Sequence, residues 1–216
     1  MSRVAFSSEE VVRPAGAARG LAALLRGGLE KLLAFAILVG ASPLMLAAAI
    51  AIRLDAAGPV LFRQDRHGLG GRIIRIYKFR TMHVVEPGCS AQQAMPGDTR
   101  VTRVGRFLRA TSIDELPQLL NVLAGDMALV GPRPHPIALD KQFSPLIGGY
   151  MARYNVKPGI TGLAQVKGLR GPTSDIETMQ RRVAADMDYV RHRSVVLDAW
   201  ILASTLPAVL GARNAL

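Results

Sequence analysis

Leu32 to Ile52 is an uninterrupted apolar run, LLAFAILVGASPLMLAAAIAI, and it limits the architecture more than any other stretch. Coiled as one helix it would extend about 31 Å, roughly the hydrocarbon thickness of a bilayer. Arg26 and Lys31 stand before it; Arg53, Arg63, Arg66, Arg72 and Arg75 come after it. Positive loops favour the cytoplasmic side of a membrane. With both flanks positive, the economical topology is a re-entrant helix that enters and leaves by one face. Ser42-Pro43, at the midpoint, is where it would bend, because proline lacks the N–H and its ring crowds the preceding turn. A full span with a tolerated proline is the competing topology. A cleaved signal peptide fits poorly, since both the charged leader and the apolar core are too long.

The chain has 216 residues, enough for one sizeable core. The pattern predicts an α+β fold, mostly helical: a re-entrant N-terminal membrane helix, a β-hairpin, and amphipathic interfacial helices around one catalytic core. The expected divisions are a basic segment at 1–28 able to lie on a membrane surface, the broken membrane helix at 29–54, and a catalytic domain at 55–216. Pro59–Gln64 and Arg72–Arg80 alternate apolar with polar residues around the turn His67–Gly71, which reads as the hairpin. Its glycines do not form a P-loop. The stretch 83–99 has no periodicity and reads as a surface loop. A charged helix is expected over 175–193. The apolar stretch 195–210 is short for a span and contains Asp198 and Pro207; it suits an interfacial helix with Trp200 at headgroup level, or packing on the core.

The formal net charge is +11, and 22 of the 27 basic residues are arginine. Arginine binds phosphate bidentately, so the partners it suits are nucleic acid, an anionic membrane surface or a phosphate-bearing small molecule. Aromatic residues make up only 5% of the chain, which leaves few platforms for stacking bases and argues against nucleic acid. Cys89 is the single cysteine, so no intrachain disulfide exists, and the four histidines show no metal-ligand spacing. Against this basic background, Thr111–Gln118 carries two adjacent carboxylates, Asp114 and Glu115. Arg100, Arg103, Arg106 and Arg109 precede them, the last three at helical spacing, and Gly131-Pro132-Arg133-Pro134 comes after. Ser112-x-x-Glu115 is also the pattern of a capping box, and Asp114 could be an N-cap. The structural and functional readings are compatible, because a helix N-terminus attracts phosphate.

In order and spacing, the segments resemble the bacterial sugar transferase family, the monotopic polyprenol-phosphate phosphoglycosyl transferases. The resemblance runs from about Leu29 to the C-terminus. It is carried by the apolar run with Ser42-Pro43, by Lys78–Met82, Thr102–Arg109, Ser112–Gln118, Asn121–Leu123, Gly125–Met127 and Leu129–Pro134, then by Lys157–Val166 and Asp186-x-x-Tyr189-Val190. Gly168–Thr173 and His135 resemble the branch that transfers glucose- or galactose-1-phosphate. The resemblance implies transfer of a sugar-1-phosphate from a UDP-sugar to a polyprenol phosphate, usually undecaprenyl phosphate, with release of UMP, as the first membrane step of exopolysaccharide assembly. Asp114 would be the nucleophile of a covalent phosphosugar intermediate and Glu115 would help hold Mg²⁺. Lys78, Arg80, Arg109, Arg133, Gln165 and Asp186 would bind substrate. The implied location is the cytoplasmic face of a bacterial inner membrane, in contact with its lipid, and a homo-oligomer is compatible with the sequence. The reading from charge alone, a membrane-tethered basic protein for nucleic acid or anionic lipid, is the alternative.

Overall fold

A computed structural model describes residues 17–83, 97–169, 171, 173 and 175–210. The sequence readings placed on residues 1–16, on Cys89 and most of the 83–99 loop, and on Arg170 and Pro172 lie outside the described residues.

The first element, α1, is a continuous helix from Ala17 to Asp55, about 58 Å long. Helical backbone runs through residue 28 and through Ser42-Pro43, the point where the sequence predicts a bend. Proline at 43 leaves the carbonyl of Val39 without its usual donor four residues on. The Ser42 hydroxyl donates to that same carbonyl at 2.7 Å, so the freed acceptor is satisfied within the helix. One narrow side of α1 packs inward: Ala34 and Leu38 on the central core, Ala48 and Ile52 against Phe79 and Leu108. The rest faces outward. Leu29, Leu32, Phe35, Val39, Leu46 and Ile50 are each more than half exposed. Removing six such side chains from water favours a lipid environment by on the order of 10 kcal/mol. Residues 25–55 are long and apolar enough to cross a membrane, and only 11% of the most apolar window is buried, unlike the core helix of a soluble domain.

Strands β1 (Leu61–His67) and β2 (Ile73–Phe79) form the antiparallel hairpin, with Arg63 opposite Tyr77, Gln64 opposite Ile76 and Arg66 opposite Ile74. Side chains alternate faces along a strand. Ile74 and Ile76 enter the core, so Lys78 and, across the ladder, Arg66 belong to the same inward face.

Helices α2 (Arg103–Ala110), α3 (Leu119–Ala124), α4 (Ile137–Phe143), α5 (Leu163–Val166), α6 (Ile176–His192) and α7 (Val195–Leu210) complete the fold with a parallel strand pair, β3 (Ala128–Val130) and β4 (Gly159–Thr161). Lys157–Gly162, read from sequence as a turn, therefore contains a strand. Its glycines explain the close pairing: a Cβ on Gly159 would lie 2.1 Å from the Gly131 nitrogen, and one on Gly162 would lie 2.2 Å from the Gly131 oxygen. Gly159 N–H donates to Pro132 O at 3.0 Å and Gly131 N–H to Thr161 O at 2.9 Å, which fixes the turn that carries Arg133. On α7, Ile201 is buried and Trp200 half exposed. Asp198, anomalous in an apolar stretch, pairs with Arg26 of α1 and accepts the Tyr189 hydroxyl at 2.8 Å.

Candidate active site

Helix α2 begins at Thr102, whose hydroxyl accepts Gly105 N–H at 2.9 Å, and it brings Arg109 to its last turn. The chain then turns at Ser112, which has φ 56° and is the one non-glycine residue with positive φ among the described residues. That left-handed conformation disfavours a side chain and recurs where function over-determines the backbone. Beyond it the chain enters a 3₁₀ turn, Ile113–Gln118, rather than an α-helical N-terminus. The capping box expected at Ser112-x-x-Glu115 does not form: Ser112 makes no side-chain cap, and the Glu115 carboxylate turns inward instead.

The two adjacent carboxylates meet opposite environments. Glu115 is buried and receives Lys78 Nζ on Oε1 at 2.8 Å, Arg133 Nη1 on Oε2 at 2.8 Å, and Arg133 Nη2 on Oε1. Burial pushes its pKa up, but the two cations outweigh burial and hold it well below the usual carboxylate range. Burial lowers the Lys78 pKa. Asp114 has no hydrogen-bond or ion-pair partner among the described residues. Burial first, and then repulsion from Glu115, push it up to about 6, while Lys78, Arg133 and Arg109 pull in the opposite direction. A carboxylate free of donors, beside one that holds three of them, is the member more able to attack or to ligate.

A second charged cluster supports this one. Arg153 is fully buried and donates to Asp186 at 2.5 Å, to the Arg133 carbonyl at 2.7 Å and to His135 Nδ1 at 2.5 Å. Burial, then Arg153, holds the His135 pKa well below its usual value, so this imidazole is neutral. The hydroxyls of Tyr150 and Tyr154 each donate to Asp140 at 2.8 Å, and His67 Nδ1 lies 2.6 Å from the same carboxylate. The Arg153 guanidinium sits 5.4 Å from both tyrosine ring centres. Asn121 fastens α3 to β2 beside Lys78, accepting Tyr77 N–H at 3.1 Å and donating to Arg75 O at 2.8 Å.

Of the residues singled out in the sequence, the structure thus joins Lys78 and Arg133 to Glu115 directly and places Arg109 where its charge is felt at Asp114. Asp186 is not on a solvated face; it is buried and pairs with Arg153, which also donates to the Arg133 carbonyl. Arg80 is engaged elsewhere, donating to the carbonyls of Ile52, Ala56 and Ala57 at the C-terminal end of α1. Gln165 donates to Ile160 O at 3.3 Å, and its buried Oε1 has no partner among the described residues. Arg66 and Arg153 escaped the sequence reading. The parity of the hairpin would have found Arg66, while Arg153 lies in a 3₁₀ turn, Tyr150–Asn155, with no apolar periodicity to mark it.

Among the described residues no group of three His, Cys, Asp or Glu side chains could hold a metal by itself. Mg²⁺ does not need one: it keeps several waters and takes one or two carboxylates together with substrate phosphates. Asp114 fits that demand. Glu115 fits it less fully, since three of its roughly four lone-pair positions already accept from Lys78 and Arg133.

A paired and an unpaired carboxylate set among inward cations, on a scaffold with a lipid-facing helix, define a membrane-associated enzyme of phosphate transfer. The chain belongs to the bacterial sugar transferase family, whose model matches residues 22–212. By that membership it is a phosphoglycosyl transferase, and phosphotransferases of this family typically use a divalent metal. It is 53% identical over 205 residues to the UDP-glucose:undecaprenyl-phosphate glucose-1-phosphate transferase of Caulobacter vibrioides, covering 94% of this chain and 77% of that protein. Proteins of the same name from Xanthomonas campestris pv. campestris and Escherichia coli K12 are 50% and 48% identical, over 86% and 87% of this chain. The chain spans 39% and 40% of the lengths of those two. Membership in an enzyme family displaces the alternative of a basic binding protein.

Proposed function

We propose that this chain transfers a sugar-1-phosphate, with glucose-1-phosphate the first to test, from a UDP-sugar to undecaprenyl phosphate and releases UMP. The observation that carries the reading is the asymmetry of the dyad: Glu115 locked by Lys78 and Arg133, Asp114 left open. In the first step an Asp114 carboxylate oxygen attacks the β-phosphorus. The bond from that phosphorus to the bridging oxygen breaks, and UMP leaves with the electron pair. In the second step an oxygen of the lipid phosphate attacks the phosphorus of the aspartyl phosphate, and the Asp114 carboxylate is restored. Lys78, Arg133 and Arg109 offset the repulsion between carboxylate and diphosphate and stabilise the departing nucleotide. Mg²⁺, held by Asp114 with the remaining lone pair of Glu115, would neutralise phosphate charge. Gln165 is assigned to the nucleotide side on account of its unpartnered Oε1, and Asp186 to positioning Arg133.

We further infer a re-entrant, monotopic placement on the cytoplasmic face of the inner membrane. Both ends of α1 are tied to the same domain, which supports it: Glu30 accepts Leu129 N–H at 2.7 Å near the beginning, and Asp55 accepts Val104 N–H at 3.1 Å at the end.

Intact-protein mass spectrometry tests the reaction. The detergent-solubilised enzyme, mixed with Mg²⁺ and UDP-glucose without acceptor, should gain one hexose phosphate and release UMP, and Asp114→Asn should do neither. UMP release only after undecaprenyl phosphate is added, with no adduct at any time, would replace the covalent route by direct attack.

A further inference from the structure

Arg66 is a cation of this site that the two-step scheme leaves unused. It lies on the inward face of the hairpin with Lys78. Its Nη1 donates to the Pro134 carbonyl, one residue beyond Arg133, at 2.6 Å, and its Nε and Nη2 donate to Gln64 Oε1. A guanidinium has five N–H donors. Three are used, all on neutral oxygens, and no carboxylate lies within ion-pairing distance of Arg66 among the described residues.

A structural brace is the simpler account, and the charge speaks against it. Holding one carbonyl and one amide oxygen needs only a neutral donor. Placing a second guanidinium near Arg133 costs repulsion, and burial together with Arg133 pushes the Arg66 pKa down to about 10. Three inward cations, Lys78, Arg66 and Arg133, stand against the paired charge of Glu115, with Asp140 of the neighbouring cluster acting on Arg66 more weakly. Arg66 itself has no ion-pair partner among the described residues, so its charge is left for a ligand.

We propose that Arg66 is a phosphate-binding residue of this site, taking a phosphomonoester group alongside Arg133. The inference rests on the phosphoglycosyl transfer reading, in which two such groups visit the site in turn: the phosphate of departing UMP and that of the incoming polyprenol. A planar fork with two free N–H donors matches either one.

The test uses the full chain in detergent and has two arms: titration of UMP by calorimetry, and KM for undecaprenyl phosphate at saturating UDP-glucose. Arg66→Gln should weaken one or both by about 10- to 100-fold, the worth of a charge-assisted pair of hydrogen bonds. Arg66→Lys should recover part of the loss. Arg75→Gln, which removes the same charge from the exposed pair with Asp65, should stay within about twofold. Loss of UMP affinity alone assigns Arg66 to the nucleotide phosphate, loss in KM alone to the lipid phosphate, and loss in both to a shared subsite. An Arg66→Gln enzyme unchanged in both arms overturns the inference. So does equal damage in Arg66→Gln and Arg66→Lys accompanied by the same drop in melting temperature, which is the signature of a brace. A wild-type chain that neither binds UMP nor releases it would sink the transferase reading, and this inference with it. Normal wild-type turnover with an unaffected variant sinks the inference alone.

Discussion

Two charge clusters meet at Arg133, and they are built on opposite terms. The guanidinium of Arg133 belongs to the first, with Lys78, Arg66 and Arg109 around two carboxylates of which only Glu115 is paired. Its carbonyl belongs to the second, where Arg153 and Asp186 form a fully buried ion pair and Asp140 accepts two tyrosine hydroxyls. The second cluster leaves no carboxylate open. The first leaves Asp114 without a donor. Matched buried charge fixes shape, whereas mismatched buried charge in a site is what chemistry requires. Arg133 converts one into the other: the closed cluster holds its backbone so that its side chain can hold Glu115.

The largest expected effect separates the two clusters. Asp186→Asn leaves Arg153 buried without its counter-charge and should cost about 3–5 kcal/mol of stability, read as a lowered melting temperature in detergent. Asp114→Asn should abolish turnover and cost little stability at pH 7, because no hydrogen bond or ion pair to Asp114 is lost and no buried partner is left without its counter-charge. The reverse pattern, a stable Asp186→Asn and an unstable Asp114→Asn, would erase the distinction.

Much of the first cluster was legible in the sequence, and little of the second. Asp114-Glu115 is conspicuous as acid inside a basic stretch, and Lys78, Arg109 and Arg133 lie in segments with recognisable spacing. The hairpin and the helices Arg103–Ala110 and Ile176–His192 are legible from periodicity because each buries one face, and Val195–Leu210 is legible from its apolar composition. The partners of Arg80 were not legible, because its place in Lys-Phe-Arg says nothing about which carbonyls lie near it; the C-terminal end of α1 claims it. Arg153, His135, Asp140 and the two tyrosines converge only through tertiary contacts, and a buried polar network has no period. The capping box at Ser112 was a local pattern overridden by a tertiary one, once Lys78 and Arg133 bound the carboxylate that should have folded back.

Titration is a smaller test of the same contrast. By the covalent route proposed above, transfer needs ionised Asp114, whose pKa is raised to about 6. The rate should fall roughly tenfold per pH unit below that value and level off near pH 7. The stability contributions have opposite signs. Asp114 is raised above its unfolded value, so it favours the fold when protonated, and that contribution is lost as pH rises from about 4 through about 6. Glu115 is depressed, so its contribution is present above about pH 4.3 and is lost as pH falls toward its folded value. Acid should therefore stop turnover before it unfolds the protein. Coincident loss of both would mean that the open cluster is as structural as the closed one.

Arg109 offers the smallest and most selective test. It makes no hydrogen bond to Asp114 and is the weakest of the three cations that draw the Asp114 pKa down. Arg109→Gln should leave the stability within about 0.5 kcal/mol of wild type. The acid limb of the rate profile should move to higher pH by about 0.2–0.7 unit, the equivalent of a screened pair worth up to about 1 kcal/mol. The position of the limb, not the height of the plateau, is the informative quantity. Lost phosphate binding would lower the plateau whatever Asp114 does, whereas only a change in the field at Asp114 moves the limb. A limb that stays in place, under a plateau that drops, would show that Arg109 serves the substrate alone and that Lys78 and Arg133 set the field at the open carboxylate.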